Sequence, residues 1–414
     1  MEEEENAEDP EFYMGLESHF GANNYHPVPV VINKAKGVWV WDVRGKKYLD
    51  CLAAYSAVNQ GHLHPKIVKA AKEQLKRVSL TSRAFYNDKM APFLKKLCQF
   101  TGMEMALPMN SGAEAVETGI KLARRWGYFK KKIPENQAEI IVAENNFHGR
   151  TTTIVSFSTS EISTKGFGPE TPGFITIPFN DPKALKNAIT KNTVAFLVEP
   201  IQGEAGVIVP NEGYLKEVQK ICALNDVLLI LDEIQTGFGR TGKNFAFQHE
   251  NAKPDVLLVG KALSGGISPV SAALSSRDIM SVFTPGSHGS TFGGNPFACE
   301  VGVAAIEVVE EEHLADRAAK LGAYFLNELK ILEKKSKIVR EVRGKGLLIA
   351  VEFEDTINDC RFVVQALMKK GILVKETHGN IVRFAPPLVI TKKELRWAAK
   401  VVVETILSFN TGQD

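Results

Sequence analysis

The stretch Val256-Leu257-Leu258-Val259-Gly260-Lys261-Ala262-Leu263-Ser264-Gly265-Gly266 decides how this chain is read. Its apolar run is too short for a helix and too continuous for a half-exposed strand. It therefore predicts a strand buried on both faces, as in parallel sheets. The strand gives way to a glycine-rich turn, and Lys261 stands at the junction. A lysine held there is partly desolvated, which lowers its pKa and makes a neutral, nucleophilic amine accessible.

Outward from this stretch, residues 140–143, 194–198 and 227–231 have the same character. Helical patterns lie between them, such as 215–224 after Asn211-Glu212-Gly213. Strand–helix alternation predicts an α/β fold, a doubly wound and mostly parallel sheet with helices on both faces. At 414 residues the chain exceeds one ordinary core, so two domains are expected. From about Ile306 the pattern changes to a charged helix with apolar Leu314, Leu321, Phe325 and Leu329, then mixed segments. A last helix near 393–409 follows the stop Ala385-Pro386-Pro387. The expected division is a large domain over 46–305 and a smaller α+β domain over 306–414. Residues 1–45, with Gly37-Val38-Trp39-Val40-Trp41-Asp42, are expected to pack against the smaller domain.

Composition excludes several functions. The formal net charge is only +2 and the signs are interspersed, which favours neither nucleic acid nor an anionic membrane. Five scattered cysteines without a Cys-x-x-Cys pair argue against a disulfide framework or zinc cluster and for a reducing compartment. No apolar stretch approaches the roughly 20 residues that span a bilayer. Residues 1–9 are acidic where organellar and secretory leaders are basic, so they read as a solvated tail on a cytoplasmic protein.

In open parallel sheets, ligands bind beyond the carboxyl ends of the strands. Phe147, His148 and Arg150 follow the first run, Glu199 the second, Asp232 and Gln235 the third, and Lys261 the fourth. Asn110-Ser111-Gly112-Ala113-Glu114 opens a helix over 113–128, with Ser111 and Glu114 at capping-box spacing. Gly112 lets an anion approach the free amides of Ser111-Gly112-Ala113, where the helix dipole favours negative charge. Together these groups fit pyridoxal 5'-phosphate (PLP). That cofactor needs an amine for its aldehyde (Lys261) and an acid to keep its ring nitrogen protonated (Asp232). It also needs an anion site for its phosphate and an apolar face for its ring, here Phe147.

At this point the chain resembles the class-III (omega) aminotransferases, fold-type-I PLP enzymes, over nearly its whole length. The matching segments are Leu231-Asp232-Glu233-Ile234-Gln235-Thr236-Gly237, Gly260-Lys261-Ala262-Leu263-Ser264-Gly265-Gly266 and Ser290-Thr291-Phe292-Gly293-Gly294-Asn295-Pro296. Within the family it is most similar to the branch that takes ornithine as donor. The segments for that are Gly21-Ala22-Asn23-Asn24-Tyr25-His26-Pro27, Tyr55-Ser56-Ala57-Val58-Asn59-Gln60-Gly61-His62 and Thr81-Ser82-Arg83-Ala84-Phe85-Tyr86. Glu199-Pro200-Ile201-Gln202-Gly203-Glu204-Ala205-Gly206 and Arg383-Phe384-Ala385-Pro386-Pro387-Leu388 complete them. One departure is Ser268, where relatives often carry tyrosine.

The resemblance implies a fold-type-I transferase that moves the δ-amino group of ornithine to 2-oxoglutarate. It implies a homodimer with shared sites, a higher oligomer being left open, in which Ser290 and Thr291 hold the phosphate of the neighbouring subunit. Gln235 would meet the cofactor's phenolic oxygen, and Glu199 would order the groups around the ring. Tyr25, Tyr55 and Arg150 would hold the amino-acid end of ornithine, and Arg150 later the distal carboxylate of 2-oxoglutarate. Glu204 would mask Arg383 by a salt bridge until 2-oxoglutarate presents its α-carboxylate.

Other donors (N-acetylornithine, 4-aminobutyrate), PLP-dependent isomerisation and a cofactor-free binding role remain as alternatives. No metal site is expected. His62-Leu63-His64 lacks a third ligand and reads as a loop histidine pair. Gly239-Arg240-Thr241-Gly242 lacks the lysine of a nucleotide loop, and Lys130-Lys131-Lys132 reads as a solvated helix end. His148 reads as a proton shuttle or as a hydrogen-bonding partner of the site.

Overall fold

Seven strands form the central sheet of the computed structural model, which describes residues 8–411. The acidic stretch read as a tail lies, as far as residue 7, outside the described residues. Across the sheet the order is Met105–Met109, Ser271–Ser275, Val256–Val259, Leu228–Asp232, Thr193–Val198, Glu139–Ala143 and Phe174–Ile177. Ser271–Ser275 runs antiparallel to both neighbours, and the remaining pairs are parallel.

The predicted apolar runs are the middle strands, and every residue of Thr193–Val198, Leu228–Asp232 and Val256–Val259 is buried. Alternate side chains serve two cores. Ile140, Val142, Leu228, Ile230 and Leu258 face the helix Gly112–Phe129 through Val116, Ile120 and Ala123. Ile141, Leu229, Leu231, Leu257 and Val259 face the opposite layer, with Tyr214, Val218 and Cys222 of helix Tyr214–Leu224. Each such side chain contributes roughly 1.5–3 kcal/mol on burial, which makes a rigid platform for the strand ends. Helix Gly112–Phe129 lies close on the sheet: a Cβ on Gly127 would come within 2.2 Å of Val194.

Two four-stranded sheets flank this platform. Val339–Lys345, Leu348–Phe353, Ile381–Phe384 and Lys375–Thr377 form one of them. In the other, Ile32–Lys36, Trp39–Asp42 and Lys47–Asp50 join Ile372–Leu373, which pairs parallel with Lys47–Asp50. Cys51 continues the link, its N–H donating to Leu373 O at 2.9 Å and its carbonyl accepting from Ala385 N at 2.6 Å. Early and late parts of the chain thus meet beside the end of the strand that carries Arg383. Helices Leu314–Leu329 and Lys392–Ser408 bury Phe325, Leu329, Leu395 and Val402 in the same core.

Two basic residues depart from a plain surface reading. Arg240, in the Gly239–Gly242 turn, is fully buried and donates to Leu347 O (2.8 Å), Pro386 O (2.7 Å) and Asn59 Oδ1 (2.5 Å). It cross-links three segments, and burial without a paired carboxylate brings its pKa down to about 9. Lys131 corrects the expectation of a solvated helix end. Its Nζ donates to the carbonyls of Thr193 (2.9 Å), Asn225 (3.2 Å) and Asp226 (2.5 Å), because the helix ends where these acceptors converge. Among the described residues no helix is long and apolar enough to cross a membrane.

Candidate active site

A cavity of about 210 Å³ opens at the carboxyl ends of the parallel strands, lined by Phe147, His148, Glu199, Glu204, Asp232, Gln235 and Lys261 with Gly112 and Ala113. Four strand ends and one helix start thus deliver their polar groups to one place. A larger groove of about 430 Å³, near His249 and Lys345, also holds charged groups, but Glu212, Lys216 and Lys345 there are exposed.

Lys261 begins the turn after Val256–Val259 with φ +44°, a left-handed conformation at a non-glycine residue. Such strain costs on the order of 1–3 kcal/mol and persists where surrounding structure fixes it. Burial pushes the Lys261 pKa down; the carboxylates of Glu204, Asp232 and Glu199 oppose this, Arg383 reinforces it, and the shift remains downward. No hydrogen bond or ion pair holds its Nζ among the described residues.

Asp232 is 5% exposed, with His148 Nδ1 donating to its Oδ2 at 2.7 Å and Ile234 N–H to its Oδ1 at 3.0 Å. Burial acts to lower the His148 pKa. The hydrogen bond to Asp232 and the charges of Asp232 and Glu199 outweigh it, so the imidazole titrates above its ordinary value. Glu199 is buried and accepts from Phe147 N–H at 3.1 Å and Gly203 N–H at 3.2 Å. Desolvation carries its pKa up to about 7 against the opposing effect of His148 and those two bonds.

At the helix start, Ser111 Oγ accepts from Glu114 N–H, and the Glu114 carboxylate accepts from the N–H groups of Asn110 and Ser111 at 2.8 Å each. That box leaves the N–H groups of Gly112 and Ala113 directed outward at the positive end of an 18-residue helix. Ser290 Oγ accepts from Asn110 Nδ2 at 2.8 Å, beside this turn, while Thr291 is exposed.

Arg383 is 2% exposed and lies 2.7 Å from Glu204 Oε1, with a second bond to Gly203 O at 3.1 Å. Burial acts to raise the Glu204 pKa, but Arg383 and Lys261 hold its carboxylate below the ordinary range. Gln235 Nε2 also donates to Glu204 Oε1, at 2.9 Å. The Arg383 guanidinium carbon stands 5.5 Å from the centre of the Tyr55 ring.

Tyr55 sits in an unusual turn. Ala53, Ala54, Tyr55 and Ser56 have φ of +50°, +48°, +59° and +72°, four consecutive left-handed residues without a glycine. Each costs roughly 1–2 kcal/mol relative to the right-handed form. Tyr25 is 71% exposed, and burial with the Glu204 charge pushes the Tyr55 pKa up against the effect of Arg383. Arg150 lies on the rim, its guanidinium 5.7 Å from the centre of the Phe147 ring and bonded to Ser163 Oγ at 3.1 Å.

Lys261, Asp232, Glu199, Gln235, Phe147, Glu204, Gly112 and Ala113 therefore share one cavity, while Arg383 and Tyr55 adjoin it through Glu204. Ser111, Ser290, Thr291, Tyr25 and Arg150 are not among the cavity-lining residues. Gly149, Ile234 and Thr236 also line the cavity; the last two stand in the quoted segment 231–237, but none of the three carries a role in the sequence reading. Their positions just past strand ends were the available signal.

The residues fit PLP on observations of this fold. His148 Nε2 and Gln235 Oε1 are buried without a hydrogen-bond partner, and the unpaired Lys261 Nζ shares their cavity. A polar ligand with an aldehyde and an anionic group matches that set and the helix start beside it.

The chain matches the model of the family "Aminotransferase class-III" over residues 20–406. It belongs to the class-III aminotransferases. The particular relatives are narrower in kind. An ornithine aminotransferase of Brevibacillus brevis is 58% identical over 379 residues, covering 92% of this chain and 94% of the relative. An ornithine aminotransferase of Toxoplasma gondii, with PLP at partial occupancy in its active site, superposes with a TM-score of 0.96 at 45% identity, over 98% of this chain and 96% of that one. An acetylornithine aminotransferase of Elizabethkingia anophelis gives 0.89 at 52% identity, over 97% and 99%.

Proposed function

We infer that this protein is an ornithine aminotransferase. It transfers the δ-amino group of L-ornithine to 2-oxoglutarate, giving glutamate 5-semialdehyde, which cyclises to pyrroline-5-carboxylate, and L-glutamate. Similarity to ornithine aminotransferases over more than nine-tenths of the chain supports this. The single observation that carries it in the fold is one cavity holding Lys261, Asp232 and the Glu204 of the Glu204–Arg383 pair.

When bound, PLP supplies an electron sink that makes the carbon bearing the substrate amine acidic. Lys261 would hold its aldehyde carbon, Asp232 its ring nitrogen, Gly112 and Ala113 its phosphate with Ser111, and Phe147 one face of its ring. Gln235 would face the phenolic oxygen. His148, donating to Asp232 Oδ2, keeps that carboxylate oriented. Glu199 fixes the Phe147 backbone and the Gly203 turn by accepting their N–H groups.

Lys261 Nζ, whose pKa burial lowers, would move the proton between the δ-carbon of ornithine and the cofactor as general base and acid. Tyr25, Tyr55 and Arg150 hold the amino-acid end of ornithine. Glu204 neutralises Arg383 while ornithine is bound, so that the α-carboxylate is not drawn to the reacting end. When 2-oxoglutarate enters, the pair opens and Arg383 grips its α-carboxylate by a bidentate contact while Arg150 takes the distal one. One cavity serves both substrates in turn, which predicts ping-pong kinetics.

We further propose a homodimer with shared sites, Ser290 and Thr291 reaching the partner's phosphate. Exposed Phe85, Tyr86 and Phe292, the last beside Thr291, support a surface that a second copy covers. We divide the chain into 46–305 and 306–414, residues 1–45 going with the latter. We place it in a reducing compartment, the cytoplasm, on five cysteines that are all free.

The Elizabethkingia relative favours a second reading, N-acetylornithine as donor. The deciding experiment is a visible spectrum of the PLP-loaded protein during addition of ornithine, N-acetylornithine and 4-aminobutyrate. Ornithine is expected to bleach the long-wavelength band fastest, and Lys261→Ala to lack that band. A faster response to N-acetylornithine would transfer the assignment to that donor.

A further inference from the structure

The loop from Asp50 to His62 is closed on itself. His62 Nε2 stands 2.7 Å from Asp50 Oδ2. The other oxygen of Asp50 accepts from Leu52 N–H at 2.8 Å and Ala53 N–H at 2.9 Å, at the entry to the left-handed turn. Past the turn, Asn59 Nδ2 donates to Phe238 O at 3.1 Å, and Gln60 Nε2 to Ala262 O at 2.8 Å, next to Lys261. His62 is anchored in its own right by paired backbone bonds with Gly37 at 2.9 and 2.8 Å.

A turn of four left-handed residues relaxes unless its neighbours over-determine it. This one does not hold itself by its side chains, since Ser56 Oγ is buried without a partner. The Asp50 carboxylate does hold it, and a carboxylate with both oxygens committed cannot rotate. His62 commits the second oxygen.

We propose that Asp50 and His62 are positioning residues that set where Tyr55 stands against Arg383 and the substrate, and so the preference for an amino-acid donor. The inference rests on the reading of Tyr55 given above. The competing explanation is a clasp that serves stability alone. The two differ in which donor suffers.

The test uses the PLP-loaded enzyme and two donors in single turnover, ornithine and pentylamine, which has a terminal amine but no amino-acid end. His62→Ala and Asp50→Ala are expected to lower kcat/KM for ornithine by about tenfold or more, mainly through KM, as for a misplaced binding group. Pentylamine should change by less than about twofold. Asp50→Asn, whose amide oxygen can still accept from Leu52 and Ala53, should recover most of the loss. Adding His62→Ala to Tyr55→Ala should bring little further loss, the signature of residues acting as one unit. Equal losses on both donors, or losses that multiply with Tyr55→Ala, would overturn the proposal. Should Asp50→Ala fail to fold, His62→Ala decides, because it leaves the Leu52 and Ala53 bonds in place. If Tyr55→Ala leaves the donor ratio unchanged, the reading of Tyr55 falls and this proposal with it. If Tyr55→Ala shifts the ratio and His62→Ala does not, only the positioning role falls.

Discussion

Replacing Glu204 by alanine strips the carboxylate from a guanidinium that is 2% exposed and 2.7 Å away. Breaking a buried pair by removing one partner costs about 3–5 kcal/mol. The lower end applies here, because Arg383 keeps its bond to Gly203 O and the face of Tyr55. The unmasked cation also has a new use. A charge-assisted hydrogen bond to a substrate carboxylate contributes about 1.5–3 kcal/mol, which is roughly a ten- to hundredfold change in a ratio of rates. The variant should therefore shift ornithine chemistry from the δ- toward the α-amino group by that factor and react faster with glutamate. Single-turnover reactions, quenched and resolved into pyrroline-5-carboxylate and pyrroline-2-carboxylate, read the ratio directly. Glu204→Gln, which keeps an acceptor for Gln235 but not the charge, should lie between. An unchanged product ratio in a folded, PLP-loaded variant would refute the masking role of this pair.

Two further outcomes can be checked. Glu199 has a folded pKa raised from 4.5 to about 7, so the unfolded chain loses its proton first and stability falls as pH rises through that window. Glu199→Gln should flatten this part of the profile of melting temperature against pH; a slope equal to that of the parent would rule the assignment out. Gly203→Ala would place a methyl 1.6 Å from Gln235 Oε1 and 2.5 Å from its amide carbon. The amide must swing away, so weaker PLP retention on dialysis and slower turnover are expected, and parental values for both would count against the role given to Gln235.

Much of this was legible because burial on both faces leaves a plain mark. Residues 194–198, 228–231 and 256–259 are apolar throughout, and Glu199, Asp232 and Lys261, the first polar side chains after them, stand at the cavity. Strands Met105–Met109 and Ser271–Ser275 leave no such mark. The first is an edge strand that tolerates Pro108, and the second is built of serine and alanine with one leucine. The capping box of Ser111 and Glu114 was readable for the same local reason that makes it work. The turn at 53–56 was not. Ala-Ala-Tyr-Ser favours a right-handed helix by propensity, and its left-handed form is imposed by Asp50 and the packing around it. The contact of His148 with Asp232 likewise joins strand ends 84 residues apart, which spacing alone does not reveal.

Arg240 ties distant parts of the chain together. Its two terminal nitrogens find their acceptors only when Asn59, Leu347 and Pro386 are all in place, partners 181, 107 and 146 positions away. The Arg240 side chain thus joins the loop that holds Asn59 to segments far along the chain, at residues 347 and 386. Loss of the final helices should be felt at the N-terminal end as sharply as at the C-terminal one.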